Sequence, residues 1–416
     1  MSLTTVLIIG YVWPESTSSA AGLRSMGLVD AFLKAGWTTW FISPSKENEF
    51  TESLRQLGVQ VGVYEANDPK FDELLKGLQP DLVIYDRFVI EEQFGARVHE
   101  HSPRSVRVVD TQDLHFLRRA RMDALKGGAS VSQVKEAAFD LLTEDALREI
   151  SAIYRSDLTL VLSNFERDLL CTKFGVPESL LELNRFSYSD YDQALPSFDQ
   201  RQGFVMIGNF RHPPNRDGFF WLAQQIWPRI RQLLPQAELH VYGAYPPKEV
   251  MQLHQPEAGF HVLGWVRDQF EALKKYRVNL APLRFGAGIK GKISDGWRVG
   301  TPVVTTSIGM EGMHEDLEFG GLQADDADLF AQAAVSLNGN RELWDQLQGR
   351  GTQIIKALYS RELESQKLIA RLEAVRSGLQ EIRSRNLVGA MLWHHSHRST
   401  MYFSKWIEAK NQNKTK

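Results

Sequence analysis

The pattern that most restricts this chain is an alternation, run twice, of short apolar segments with longer segments of helical period. Val6–Ile9, Thr38–Ile42, Leu82–Tyr85, Val106–Val109 and Leu158–Leu162 read as strands. Helices are expected between them, over Gly22–Ala35 with Leu23, Leu28 and Phe32 inward, and over Ser132–Ala152. Ser163-Asn-Phe-Glu166 has the form of a capping box and starts a further helix. Strands alternating with helices build parallel sheets, because a parallel connection has to cross over the sheet. From Tyr188 to Gln202 the rhythm stops in a polar, aperiodic stretch that reads as a linker. It resumes with Phe204–Ile207, Leu239–Tyr242, His261–Leu263, Val278–Ala281 and Pro302–Thr305. A length of 416 residues suits two such domains. The expected organisation is α/β, with a first domain over 1–187, the linker over 188–202, a second domain over 203–378 and a terminal helix and tail over 379–416.

Charge excludes some classes of partner. Lys and Arg total 48 against 51 Asp and Glu, so no bulk basicity points to nucleic acid. Cys171 is the only cysteine, which rules out an internal disulfide and a cysteine-rich metal site and fits a reducing cytoplasm. The start, Met-Ser-Leu-Thr-Thr-Val-Leu-Ile-Ile-Gly, reads as a first strand rather than a signal peptide. No apolar run approaches the roughly 20 residues of a spanning helix.

Parallel α/β sheets bind ligands beyond the carboxyl ends of their strands, so the segments following each strand carry the functional reading. Gly10 to Gly22 is small and polar before a helix, a place for a ligand to approach backbone N–H groups or simply a tight turn. Asp110-Thr-Gln-Asp-Leu-His115 sets Asp113 and His115 just past a strand end, where they would orient hydroxyls or move a proton. The plain alternative is that its aspartates cap a helix; a metal reading with Asp110, Asp113 and His115 lacks a further ligand. Arg211, in the loop after Phe204–Ile207, suits a phosphate, or is a solvated surface arginine.

The most specific stretch is Phe285-Gly-Ala-Gly-Ile-Lys-Gly-Lys-Ile-Ser-Asp-Gly-Trp-Arg-Val-Gly-Thr-Pro-Val-Val304. Gly286 and Gly288 leave backbone N–H groups uncovered, and a helix is expected from Ile289. Lys290 and Lys292 would then stand in its first turn, against the helix dipole. A bound anion such as a diphosphate resolves that conflict. The alternative is that both lysines snorkel to water.

This segment resembles the nucleotide-sugar segment of the GT-B glycosyltransferases, most closely the GT4 group, and the resemblance covers most of the chain. It implies two Rossmann-like doubly wound parallel-sheet domains facing each other across a cleft, with the terminal helix crossing back to the first. Gly264-Trp-Val266 matches the segment that holds the base, and Phe204–Asn209, with Gly208 and Asn209, the diphosphate-side loop. Gly22 stands at the family's glycine loop, and Asp113 and His115 near its sugar-side histidine. The implied donor-binding set is Gly22, Gly208, Asn209, Arg211, Gly264, Val266, Gly286, Gly288, Ile289, Lys290 and Asp295, with His115, Asp113 and Lys292 in catalysis. The family's pair of glutamates is altered: Asp295 stands at the second, implying ribose contact, and Ala287 at the first, which usually contacts the sugar.

The resemblance implies a cytoplasmic glycosyltransferase that takes its sugar from a nucleotide-diphosphate sugar. Retention, independence of metal and cofactor, and a glycan, lipid-linked or protein acceptor in surface polysaccharide or glycoconjugate synthesis are further expectations. The rival readings are a nucleotide-sugar epimerase on the same fold, a non-catalytic degenerate binding module, and a metal-dependent GT-A transferase using Asp190 and Asp192, which the linker position disfavours. After Ile382 the tail carries Arg383, Arg385, Arg398, Lys405, Lys410, Lys414 and Lys416 against Glu408, interleaved with Trp393, Tyr402, Phe403 and Trp406. That composition suits peripheral contact with anionic lipid at the inner membrane face, or packing of the aromatics on the first domain.

Overall fold

The computed structural model describes residues 4–15, 19–136, 142–189, 191 and 194–414. Asp190 and Asp192 of the GT-A reading lie outside the described residues. The helix expected over Ser132–Ala152 is described as Val131–Glu136 and Glu144–Arg155, with 137–141 also outside.

The first sheet contains β1 (Thr5–Ile9), β2 (Thr38–Ser43), β3 (Gln60–Val63), β4 (Leu82–Asp86), β5 (Val106–Asp110), β6 (Leu158–Val161) and β7 (Leu181–Leu183). The second contains β8 (Phe204–Ile207), β9 (Leu239–Tyr242), β10 (Phe260–Gly264), β11 (Val278–Ala281), β12 (Val303–Thr305) and β13 (Gly321–Gln323). Their orders, β3-β2-β1-β4-β5-β6-β7 and β10-β9-β8-β11-β12-β13, are doubly wound, and the pairings are parallel. Central strands such as β1 and β5 are buried along nearly their whole length, as a sheet covered on both faces requires. The strands that the alternation does not reveal, β3, β7 and β13, are short and lie at or beside sheet edges, where burial on two faces no longer forces an apolar run.

The chain crosses between the domains at two adjacent places. Tyr188 pairs with Ser360 as an isolated parallel bridge, and its N–H donates to the Tyr359 carbonyl at 2.8 Å. The polar stretch read as a linker is thus partly built into the fold. Tyr188 is 3% exposed, Phe198 packs in the second core, and Arg201 donates to Thr301 Oγ1 and the Val299 carbonyl.

The return to the first domain comes earlier than the boundary at residue 378. Leu368, Leu372 and Val375, on the helix Arg361–Ser377, belong to the same core as Val6, Ile8, Leu28 and Phe32. Burying each of these side chains stabilises the docking by roughly 1.5–3 kcal/mol. That outweighs the fact that the helix follows the second domain in sequence. Among the described residues no helix is long and apolar enough to cross a membrane.

Candidate active site

The carboxyl ends of the two sheets face each other, and the segments that follow the strands meet there. Helix Ala20–Lys34 begins after β1, its N-cap Ser19 accepting from the Gly22 N–H at 3.0 Å. Helix Gly291–Arg298 begins after β11. The two starts abut: a Cβ placed on Gly291 would lie 3.1 Å from the Ala20 Cβ. The partly positive ends of two helices therefore converge on one part of the cleft.

The second helix starts at Gly291, two residues later than expected, because Gly288 (φ 65°) turns the chain and Lys290 occupies the N-cap. The two lysines then separate in role. Lys290 is buried; its Nζ donates to the Glu311 carbonyl at 3.0 Å, and burial, only partly offset by Glu311, lowers it to about 8. Lys292, in the first turn, is half-buried, and among the described residues no side chain hydrogen-bonds to its ammonium or pairs with it. Burial lowers it to about 8, with Asp295 pulling the other way. A half-buried ammonium without a partner at a helix start is a standing cost that an anion removes.

Asp295 lies one turn along and is 6% exposed. Its Oδ1 accepts from Tyr188 Oη at 2.8 Å and its Oδ2 from Gln269 Nε2 at 3.1 Å. Burial pushes it up to about 7. Both oxygens thus already have protein partners, and a ribose would share the carboxylate with Gln269. Tyr188 and Gln269 were not legible as site residues, because each sits in a segment without a motif.

On the facing domain, Gln112 (φ 61°) turns the chain after β5 and presents Asp113. Asp113 Oδ1 lies 3.2 Å from His115 Nε2, and Oδ2 lies 2.9 Å from Arg118 Nε. Burial alone would raise Asp113, but Arg118, His115 and, from the other domain, His212 hold it below the usual carboxylate range. Burial lowers His115 to about 4, so its ring is neutral at pH 7. Asp110, the third member of the sequence cluster, is not open to a ligand or metal. It is 1% exposed and takes Arg24 Nη2 at 2.6 Å.

Several of the expected donor-binding residues also have packing roles. Ile289 is 7% exposed within a core with Ile293 and Trp297. A Cβ on Gly22 would strike the Glu15 backbone at 2.4 Å, and one on Gly208 would strike Asn215 Nδ2 at 2.8 Å, so both glycines are explained by neighbouring chain. Asn209 Oδ1 accepts the Arg211 N–H, and the Arg211 guanidinium stacks over Tyr245, whose hydroxyl donates to Glu15 across the cleft. Gly264 is left-handed (φ 76°) with open space above it, ahead of a half-buried Val266.

The glycine loop before the lysines is only partly uncovered. Gly288 N–H donates to Glu166 Oε1 at 3.0 Å, and the Leu114 N–H donates to the same oxygen at 3.1 Å. Ser163 does accept the Glu166 N–H, as a capping box requires, but the Glu166 carboxylate ties the loops of the two domains together. Arg121 adds a second tie: it is buried, forks onto both Glu311 oxygens at 2.8 Å and donates to the Gly286 carbonyl at 2.8 Å. Ala287 packs against Leu114 and its neighbours in the first domain. The cleft is closed around these contacts. Arg121 and Glu311 give no motif and Glu166 reads only as part of a helix cap, and only the fold brings them together.

Residues 201–340 match the family model described as Glycosyl transferases group 1. A glycosyltransferase from Rickettsia africae ESF-5 superposes with a TM-score of 0.66 at 12% identity, covering 90% of this chain and 99% of that one. The architecture is GT-B. Sucrose-phosphate synthase from Thermosynechococcus elongatus gives the GT-B match a TM-score of 0.66 at 15% identity over 90% of this chain and 100% of its own. HepE from Anabaena, solved with UDP and glucose, gives 0.65 at 11% identity over 88% and 99%. No curated protein matches the chain by sequence. The GT-B chain resembles the group 1 glycosyltransferases, and its matched segment contains the helix Gly291–Arg298 and both lysines.

The His115 and Asp113 pair makes a separable prediction. His115→Ala is expected to lower turnover while leaving nucleotide affinity within about twofold, because the ring stands on the domain opposite the helix of Lys292. Steady-state kinetics beside calorimetry check it; equal losses in both would make the histidine a structural support.

Proposed function

We propose that this GT-B protein is a glycosyltransferase that moves a sugar from a nucleotide-diphosphate sugar to an acceptor. The observation that carries the reading is the unpartnered, half-buried Lys292 at the point where two helix starts converge. A diphosphate there meets a full positive charge and two partial ones. As the anomeric bond breaks, charge grows on the leaving diphosphate, and fixed positive groups stabilise that growth more than they stabilise the intact donor. Asp295 with Gln269 would hold the ribose, Gly264 and Val266 would flank the base, and neutral His115, steadied by Asp113, would meet the sugar. Neither a carboxylate at Ala287 nor a metal enters this scheme, and retention is the stereochemistry it inherits from the resemblance. HepE with UDP and glucose, and TarM from S. aureus with UDP and GlcNAc-glycerol, supply the parallel for a UDP-type donor and a glycan acceptor.

The testing experiment is a thermal-shift screen of nucleotide diphosphates and their sugars, followed by product analysis with the best donor. A ligand at a hundred times its dissociation constant adds roughly 2.7 kcal/mol of stability. No shift with any nucleotide diphosphate would sink the proposal.

The terminal helix, Leu387–Lys414, refines where the acceptor is met. Four residues of the expected lipid-facing set have partners within the protein: Arg383 and Trp393 firmly, and, at the surface, Arg385 with Glu381 at 2.6 Å and Lys405 with Glu100 at 3.7 Å. Arg383, before the helix, grips Asp157 at 2.8 Å, and Trp393 stacks on His99 at 4.2 Å with its Nε1 donating to the Arg155 carbonyl. Beyond that anchor, Tyr402, Phe403 and Trp406 are each more than half exposed, beside exposed Lys405 and Lys410. This end of the helix is proposed to rest on anionic lipid at the inner membrane face, presenting the cleft to a lipid-linked acceptor. Truncation after Ser396, which spares Trp393, is expected to abolish salt-sensitive sedimentation with anionic liposomes and leave the melting temperature nearly unchanged. Equal sedimentation of the truncated and full-length proteins would refute it.

A further inference from the structure

On the outer strands of the second sheet, histidines and a glutamate gather that the transfer reaction does not use. β9 and β10 run parallel with His240 opposite His261. Side chains alternate along a strand, so Glu238, two residues before His240, shares its face. Leu239, Val241, Phe260 and Val262 turn the other way into the core. One donor atom from each of Glu238, His240 and His261 lies within 4.8 Å of the other two. The His240 and His261 rings are 4.9 Å apart, and His261 Nε2 already contacts Glu238 Oε2.

We infer that Glu238, His240 and His261 form a binding site for a divalent transition-metal ion of the zinc class, separate from the donor cleft. Three considerations carry it. First, the donor set is two imidazole nitrogens and one carboxylate, which suits zinc, cobalt(II) or nickel(II) rather than the oxygen-preferring magnesium or calcium. Second, two ligands each about 2.1 Å from a tetrahedral ion stand about 3.4 Å apart, so the donors need only side-chain rotation to close on one. Third, His240 has an outer partner: Tyr276 Oη lies 2.6 Å from Nδ1, which leaves Nε2 for the metal and fixes the ring. Glu238 is exposed and both histidines are half-buried, so an ion can enter from solvent. His254 stands alongside, its ring 6.0 Å from that of His261 and its Nδ1 taken by the Val262 N–H. It is a neighbour rather than a member of the set. An ion here would staple β9 to β10, the outermost pair of the sheet.

The test uses full-length protein without a histidine tag, stripped with chelator and dialysed against zinc, with metal counted by plasma emission and coordination followed by the visible absorption of cobalt(II). One equivalent per chain is expected, with a tetrahedral cobalt spectrum and a zinc-dependent rise in melting temperature. His240→Gln and His261→Gln should each weaken uptake by 100-fold or more, and Tyr276→Phe by 10- to 100-fold. Circular dichroism establishes that the variants fold, and the wild-type cobalt titration decides the matter without them. Substoichiometric metal in the wild type, or uptake indifferent to both histidine substitutions, would overturn the inference. Because the readouts are metal content and spectrum, they stand or fall independently of any transferase activity.

Discussion

Lys292→Ala is expected to reduce turnover about 10²-fold or more in a protein that remains folded, in line with the loss of a single preorganised electrostatic stabiliser. The side chain is half-buried with no hydrogen-bond or ion-pair partner among the described residues, so its removal breaks no structural contact. It should even relieve a partly desolvated charge, and the melting temperature of the free protein should hold or rise slightly. The same logic sets a pH dependence. With Lys292 lowered to about 8, the ammonium that attracts a diphosphate is present below that pH and is lost as pH rises through it. Affinity for a nucleoside diphosphate should therefore fall above about pH 8, and the fall should be shallower in Lys292→Met, where only Lys290 remains to titrate. Wild-type turnover in a folded Lys292→Ala protein would show that no diphosphate sits at this helix start.

Glu311→Ala should act on the cleft as a whole. Arg121 is completely buried, and its charge is met by Glu311, a residue of the other domain. Breaking a buried pair by deleting one partner costs about 3–5 kcal/mol, because the remaining charge is left without compensation. Here the penalty has an outlet: the domains separate and water reaches the guanidinium. At tenfold per 1.4 kcal/mol, the closed population drops by roughly 10² to 4 × 10³ relative to the open one. The expected signs are a larger radius of gyration by small-angle scattering and a higher KM for donor, with a smaller change in melting temperature than the pair's burial would imply. Arg121→Met combined with Glu311→Leu should restore much of the closure, since apolar replacements leave no orphaned charge. An unchanged scattering profile and KM in Glu311→Ala would mean that other contacts, Glu166 with Gly288 among them, hold the cleft shut.

The closed state also explains why the sequence segment and the site differ in detail. Gly286 to Gly288 look uncovered in sequence, since glycines expose their own backbone. In the fold, Gly288 is a glycine because a Cβ would strike the Asp113 Cβ at 2.8 Å, and its N–H is already given to Glu166. The loop is shaped by the opposite domain, and a donor that uses its N–H groups has to compete with that domain.

Local properties were legible in the chain before any fold was known. Alternating apolar runs dictated two parallel sheets, because strands covered by helices are forced to be largely apolar, and the strands Phe204–Ile207, Leu239–Tyr242 and Val278–Ala281 match their reading to the residue. The stretch from Gly286 to Val304 announced a helix start bearing lysine against its dipole, which is a conflict readable without any fold. Which of these residues face each other emerged only on folding. Lys290 and Lys292 are alike in sequence, yet the first is spent on Glu311 and the second is left open, because Glu311 arrives from a turn after β12. Tyr188 reads as linker and becomes the partner of Asp295; Glu166 reads as a cap and becomes a bridge. The Tyr188–Asp295 and Glu166–Gly288 contacts join residues more than a hundred positions apart and the Lys290–Glu311 contact spans 21, and no periodicity, cap or motif records separations of that kind.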